Sequence, residues 1–153
     1  MKTNARSLNK QQGLAAIEAM ITLPILFLFF FAIGELGRVM YQYNQLNSIA
    51  RNACRYLINN AKPGTTSLID LTDAVQSQAK DLAVYGTTGG STSLLSGFSV
   101  NDISISVPAG TDVITVTATY NWTPIFNGNL AGDYGTTVDY SFPLTATISM
   151  RAL

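Results

Sequence analysis

The chain has no histidine and a single cysteine among its 153 residues. Those two shortages remove most metal sites, any Ser/His or Cys/His relay, and any internal disulfide framework. Charge is scarce as well: Asp, Glu, Lys and Arg make up 12% of the chain, and nine basic residues are balanced by nine acidic ones. Without a basic surplus there is no face for phosphate binding, so nucleic acid is not an expected partner. An enzyme would have to work with scattered carboxylates, and neither catalysis, nor a cofactor, nor a metal site is expected. There is no internal repeat and no charge run. Proline and glycine are missing from residues 38 to 60, which leaves nothing to interrupt a helix there.

What is present begins with a short basic leader carrying Lys2, Arg6 and Lys10 and no acid. Such a leader stays in the cytoplasm under the positive-inside rule. From Leu14 to Ile33 the only charge is Glu18, and a helix of that length spans about 30 Å, the hydrocarbon thickness of a bilayer. An ionisable group at that depth costs roughly 2.5 to 3.5 kcal/mol, so Glu18 asks for a partner. Pro24 removes the amide that would bond the Met20 carbonyl, and the Thr22 hydroxyl is expected to satisfy that group in part. The proline reads either as a tolerated kink or as a hinge used when the helix leaves the bilayer. Glu35 and Arg38, three apart, can pair where lipid ends, although a surface pair contributes only about 0 to 1 kcal/mol. A secretory signal cut after Ala32-Ile33-Gly34 is the competing reading of this segment. Glu18 inside the apolar run and the lack of a break after Gly34 speak against it.

Beyond Arg38, the residues Val39, Tyr43, Leu46, Ala50, Ala53 and Leu57 recur in steps of three and four, the stripe of an amphipathic helix. One helix from Leu14 to about Asn60 would be roughly 70 Å long, ended by Lys62-Pro63-Gly64. Ser67 with Asp70 predicts the start of a second helix running to about Tyr85, with Leu68, Leu71, Val75 and Leu82 on its apolar side. After a flexible Gly86-Thr87-Thr88-Gly89-Gly90-Ser91 stretch the period changes to two. Ile103, Ile105 and Val107 form one strand, and residues 108 to 112 a hairpin turn. Ile114, Val116, Ala118, Tyr120 and Trp122 share one face of the next strand. A polar loop over 127 to 141, with room for a short strand near Thr136 to Tyr140, leads to a last strand with Phe142, Leu144, Ala146, Ile148 and Met150 on one face. That terminal strand is expected inside the sheet, since an unpaired apolar edge invites aggregation. The expected class is α+β: a long N-terminal helix that spans the membrane and forms the spine, a second packed helix, and a small antiparallel sheet of three to four strands.

Smaller signals have plain explanations. Cys54 reads as a small buried apolar residue, with an intermolecular disulfide as the alternative. Asn127, Asn129, Asp133 and Asp139 do not match a calcium-loop spacing and are better explained by turn chemistry. Asn121-Trp122-Thr123 has glycosylation spacing but lies in a predicted strand.

The run Gly13-Leu14-Ala15-Ala16-Ile17-Glu18 resembles a class III or type IV prepilin junction, where a peptidase cuts after glycine and leaves glutamate fifth. Counted from Leu14, Glu18 is fifth. Together with Leu23-Pro24, Gly34-Glu35-Leu36-Gly37-Arg38 and Ala50-Arg51-Asn52-Ala53-Cys54-Arg55-Tyr56, it resembles the TadE-like pseudopilins of the tight adherence (Tad, or Flp) pilus system. The resemblance is dense over about residues 12 to 58, with Ala19 standing where the family usually has an aromatic residue. It implies a pilin-like fold with a leader over 1–13, a transmembrane helix over 14–34 and a periplasmic domain over 35–153. It implies cleavage between Gly13 and Leu14, and pairing of the new Leu14 amine with Glu18 of an adjacent subunit, which sets register. The same acid could instead meet a peptidase or platform protein. Cleavage would leave six basic and nine acidic residues. The implied location is the bacterial inner membrane, single-pass, with the N-terminus cytoplasmic and the C-terminal domain periplasmic. The implied function is assembly of a Tad pilus for adherence and biofilm formation. The implied partners are sister pseudopilins, the major pilin, the prepilin peptidase, the inner-membrane platform and membrane lipid. Rival readings are a pseudopilin of a type II secretion machine, whose first mature residue is usually phenylalanine rather than Leu14, and an exported envelope enzyme.

Overall fold

A computed structural model describes residues 5–62, 69–125 and 141–152, with the backbone alone over 5–12. The elements in order are helix α1 (Ala5–Asn60), helix α2 (Asp73–Tyr85), a 3-10 turn (Val100–Asp102), and strands β1 (Ile103–Ser106), β2 (Val113–Trp122) and β3 (Phe142–Arg151). This is an α+β arrangement with two helices and a three-stranded antiparallel sheet among the described residues. Residues Thr136 to Tyr140, where a further strand is expected, lie outside them. The chain divides into two compact units, Met1–Arg38 and Val39–Leu153.

The first unit is helical from Ala5, earlier than the expected start at Leu14. No proline interrupts residues 5 to 13, and most of their side chains are acceptable in a helix. Leu14, Met20, Leu26, Phe30 and Ile33 are all exposed, so apolar side chains cover the helix on every side rather than along one stripe. A helix apolar all round belongs in lipid or in the core of an assembly. By length and composition α1 can cross a membrane.

In the second unit, α1 and the residue that follows it bury Leu46, Ile49, Ala50, Ala53, Cys54, Leu57 and Ala61. Tyr43, expected on this stripe, is exposed. It sits at the border of the buried face, where a phenol keeps its polar tip in water. Four of the seven buried positions are Ala or Cys, and they meet Ala79 and Ala83 of α2 and Ala118 and Ala146 of the sheet in one cluster. Small residues on both sides let the backbones approach closely, while Leu57, Ile114 and Val116 fill the remaining volume.

Helix α2 begins at Asp73, not near Ser67. The Thr72 side chain accepts a hydrogen bond from the Val75 amide, and Asp73 supplies the acid of the first turn. Asp70 instead donates its amide to the Ala61 carbonyl at 2.8 Å, which holds that residue outside the helix. Ser67 and Leu68 lie outside the described residues. The buried positions of α2 are Ala79, Ala83 and Val84, whereas Val75 and Leu82 are only half-buried. The segment after α2 is ordered by its own contacts. Gly86 caps the helix at φ 76°, and Leu94 donates its amide to the Val84 carbonyl at 2.8 Å. A Cβ on Gly90 would lie 2.5 Å from Tyr85 Cβ, so only glycine fits that fold-back. Leu95 and Phe98 then close the core, with Phe98 edge-on to Tyr120 at 6.3 Å.

The sheet order is β1-β2-β3, both pairings antiparallel. Strand β3 therefore lies at an edge among the described residues and not inside the sheet, because the long hairpin-joined β2 occupies the centre. Val107, expected in the first strand, falls beyond β1 and is exposed. Ile103, Ile114, Val116, Ala118, Tyr120, Trp122, Leu144 and Ala146 face the core. The other face carries hydroxyls, with Thr115 opposite Ser149 at 2.9 Å and Thr117 opposite Thr147 at 3.2 Å. The segment after α1 and the end of β3 meet at Asp112, whose carbonyl accepts from the Ala152 amide at 2.7 Å and whose carboxylate faces Arg151 and Lys62.

A core of this kind is expected to fold without the apolar helix. A Tyr41–Leu153 fragment should be soluble and unfold cooperatively in urea, with Trp122, the single tryptophan and 5% exposed, as the fluorescence reporter. A broad, non-cooperative change would show that the core depends on the missing half of α1.

Candidate functional site

Gly13, Leu14, Glu18, Thr22, Pro24, Glu35 and Arg38 all lie on the first unit's helix, so their relative positions follow from helical geometry. Gly13 is exposed, and a Cβ there would meet nothing within 4 Å. Leu14 is exposed beside it. The bond between them is thus reachable from outside the chain, and a side chain at position 13 disturbs no internal packing.

Glu18 lies one turn beyond Leu14 and is exposed. Among the described residues its carboxylate makes no ion pair or hydrogen bond with its own chain. Its backbone carbonyl accepts from the Thr22 hydroxyl at 2.9 Å, and the same hydroxyl lies 3.5 Å from the Ala19 carbonyl. This corrects the expectation that Thr22 satisfies the Met20 carbonyl left free by Pro24. A hydroxyl in a helix reaches back three or four residues along its own column, and two residues back is out of its range. The helix passes through Pro24 without a break in its assignment. Glu35 and Arg38 do pair, with Arg38 Nε donating to Glu35 Oε2 at 3.0 Å and the two side chains 16% and 26% exposed. Their partial burial makes this a better-defined contact than a fully solvated pair.

Among its described residues the second unit offers no comparable chemistry. Among the described residues no three His, Cys, Asp or Glu side chains gather as a metal site. Asn127, Asn129, Asp133 and Asp139 lie outside the described residues. Asn121 and Trp122 are in β2. Cys54 is fully buried, with Sγ donating to the Ile114 carbonyl at 3.5 Å. Burial pushes its thiol up from the usual range, with the Met150 backbone acting weakly the other way. The thiol should therefore resist alkylation in the folded chain, even at mildly alkaline pH, and react rapidly in denaturant. Equal labelling rates in the two states would mean that α1 separates from the sheet in solution.

Two features were not visible in the residue pattern. Tyr56 of α1 donates to Gln78 of α2 at 2.7 Å, tying the helices together. Arg51 and Arg55 stand in grooves beside α1 that only tertiary packing creates.

No curated protein and no solved structure matches this chain. Residues 13–55, the stretch that carries Gly13, Glu18, Pro24 and the Glu35–Arg38 pair, match the family model of TadE-like proteins, the family that the sequence resembles.

Proposed function

We propose that this chain is a minor pseudopilin that takes part in assembling a Tad pilus for surface adherence and biofilm formation. The observation that carries the reading is Glu18, an acid without a partner among the described residues, set on an apolar helix inside the TadE-like segment. In this reading the basic leader stays in the cytoplasm, α1 crosses the inner membrane once, and the domain beyond Arg38 lies in the periplasm. A prepilin peptidase cuts after Gly13. The new Leu14 amine then meets Glu18 of a neighbouring subunit, two charges that neutralise each other where either alone would be strongly disfavoured. Pro24 leaves one carbonyl unbonded within the helix, so the turn between Met20 and Pro24 is where the helix yields when the subunit leaves the bilayer. Sister pseudopilins, the major pilin and the inner-membrane platform are the partners. The chain assembles and does not catalyse.

The experiment is deletion of the gene, with pilus yield and surface attachment measured beside secretion of folded proteins. Loss of pili and attachment with normal secretion is expected. A secretion defect with normal pili would assign the chain to a type II secretion machine.

A further inference from the structure

Along α1, the residues Asn44, Ser48, Arg51, Arg55 and Asn59 recur at steps of three and four and are all exposed. They form a polar face on the same helix whose opposite face builds the core. Arg51 and Arg55 border a groove of about 360 Å³ between α1 and Met150 of β3, and Arg55 also borders one of about 340 Å³ beside Leu82 of α2. Neither guanidinium has an acidic partner among the described residues, since the acids near other cations are Glu35 and Asp112. Two like charges one turn apart repel each other on a helix, and no acid among the described residues offsets this.

The matching charge is on α2. Asp73 and Asp81 line a groove of about 290 Å³ with Ser77, Lys80 and Val100. It lies on a different side of α2 from Leu82 and Ala83, which border α1. Neither carboxylate is in an ion pair among the described residues. With two carboxylates against Lys80, this groove is net acidic.

From this complementarity we infer that the Arg51/Arg55 face of one copy docks on the Asp73/Asp81 face of a second copy of the same chain. The two surfaces differ, so the contact is head-to-tail and leaves each end of a pair free to bind another copy. Repeated from copy to copy, such a contact closes into a ring or extends as an open row, according to its rotation. The opposite charges steer the encounter and set its register, and added salt weakens it. The contact deepens the assembly reading above but is read by cross-linking alone, without reference to pili, so either can fail while the other stands.

The test uses the full chain in its own membrane. One population carries Asn52→Cys and the other Ser77→Cys, joined by a short thiol-specific cross-linker, with buried Cys54 silent. A 52-to-77 adduct is expected. Adding Arg51→Glu with Arg55→Glu to the first population should lower it at least about tenfold, as loss of two charge pairs and gain of two repulsions requires. Adding Asp73→Lys with Asp81→Lys to the second population should then restore it. Protection of Cys54 from alkylation verifies the fold of each variant, and Arg51→Gln with Arg55→Gln replaces the reversal if protection is lost. An adduct indifferent to charge reversal, an equal 52-to-52 adduct, or a cross-link only to a different protein would each overturn the proposal.

Discussion

Glu18→Gln should leave membrane insertion and leader cleavage intact and abolish pilus assembly. Gln keeps nearly the same shape and removes the charge, so insertion becomes easier by up to the roughly 2.5 to 3.5 kcal/mol that a charged side chain costs at the bilayer centre. The assembled state moves the other way. In the proposed pairing, a neutral residue at position 18 leaves the Leu14 amine of the neighbouring subunit charged in an apolar contact, and removing one partner of a buried pair costs about 3 to 5 kcal/mol. That is a factor of about 10² to 4 × 10³ in each subunit addition, and the loss repeats at every step of growth. The measurement compares mature protein in the inner membrane with pilus yield in the same cells. Normal piliation by the Gln variant would remove charge pairing from the mechanism, and loss of cleavage would move Glu18 to peptidase recognition.

Replacing Gly13 with phenylalanine should have an equally large effect at an earlier step. A Cβ at this position meets open space, and exchanging a helical glycine for another residue gains about 0.5 to 1 kcal/mol of helix stability at most. Folding and insertion therefore give no reason for a defect. The proposed peptidase would have to bring the backbone at position 13 close to its own catalytic groups, and a bulky side chain would block that approach. Nearly all of the protein should accumulate as an uncut, membrane-held precursor, with no pili. Full processing of Gly13→Phe would place the cleavage elsewhere.

How much of this was legible beforehand depends on the range of the interaction involved. The long helix and its end at Asn60 were readable because apolar content and the absence of breakers act locally. The faces of β2 and β3 were readable because a period of two survives any packing partner. The start of α2 was misread because Ser67 with Asp70 fits a cap pattern, while the Asp70 amide is taken by Ala61. No local pattern records that hydrogen bond. The edge position of β3 is likewise set by strand order, which depends on pairings distant in sequence. At the candidate site the chemistry was legible and the detail was not. Glu18 stands out wherever the helix lies, but Thr22 reaches the Glu18 carbonyl and not Met20 because side-chain hydroxyls follow the helix column. Arg51 and Arg55 are unremarkable among helix residues until packing puts grooves beside them, with no acidic partner among the described residues.

The central claim is that the bond after Gly13 is processed and that Glu18 stays with the mature chain near its new amine. N-terminal sequencing of the protein extracted from membranes tests this most directly. The expected result is a single mature start at Leu14, reading Leu-Ala-Ala-Ile-Glu, with the whole apolar helix retained. A mature chain starting at Glu35 would contradict it, since cleavage there discards Glu18 and Pro24 together and leaves a secreted domain with no membrane helix.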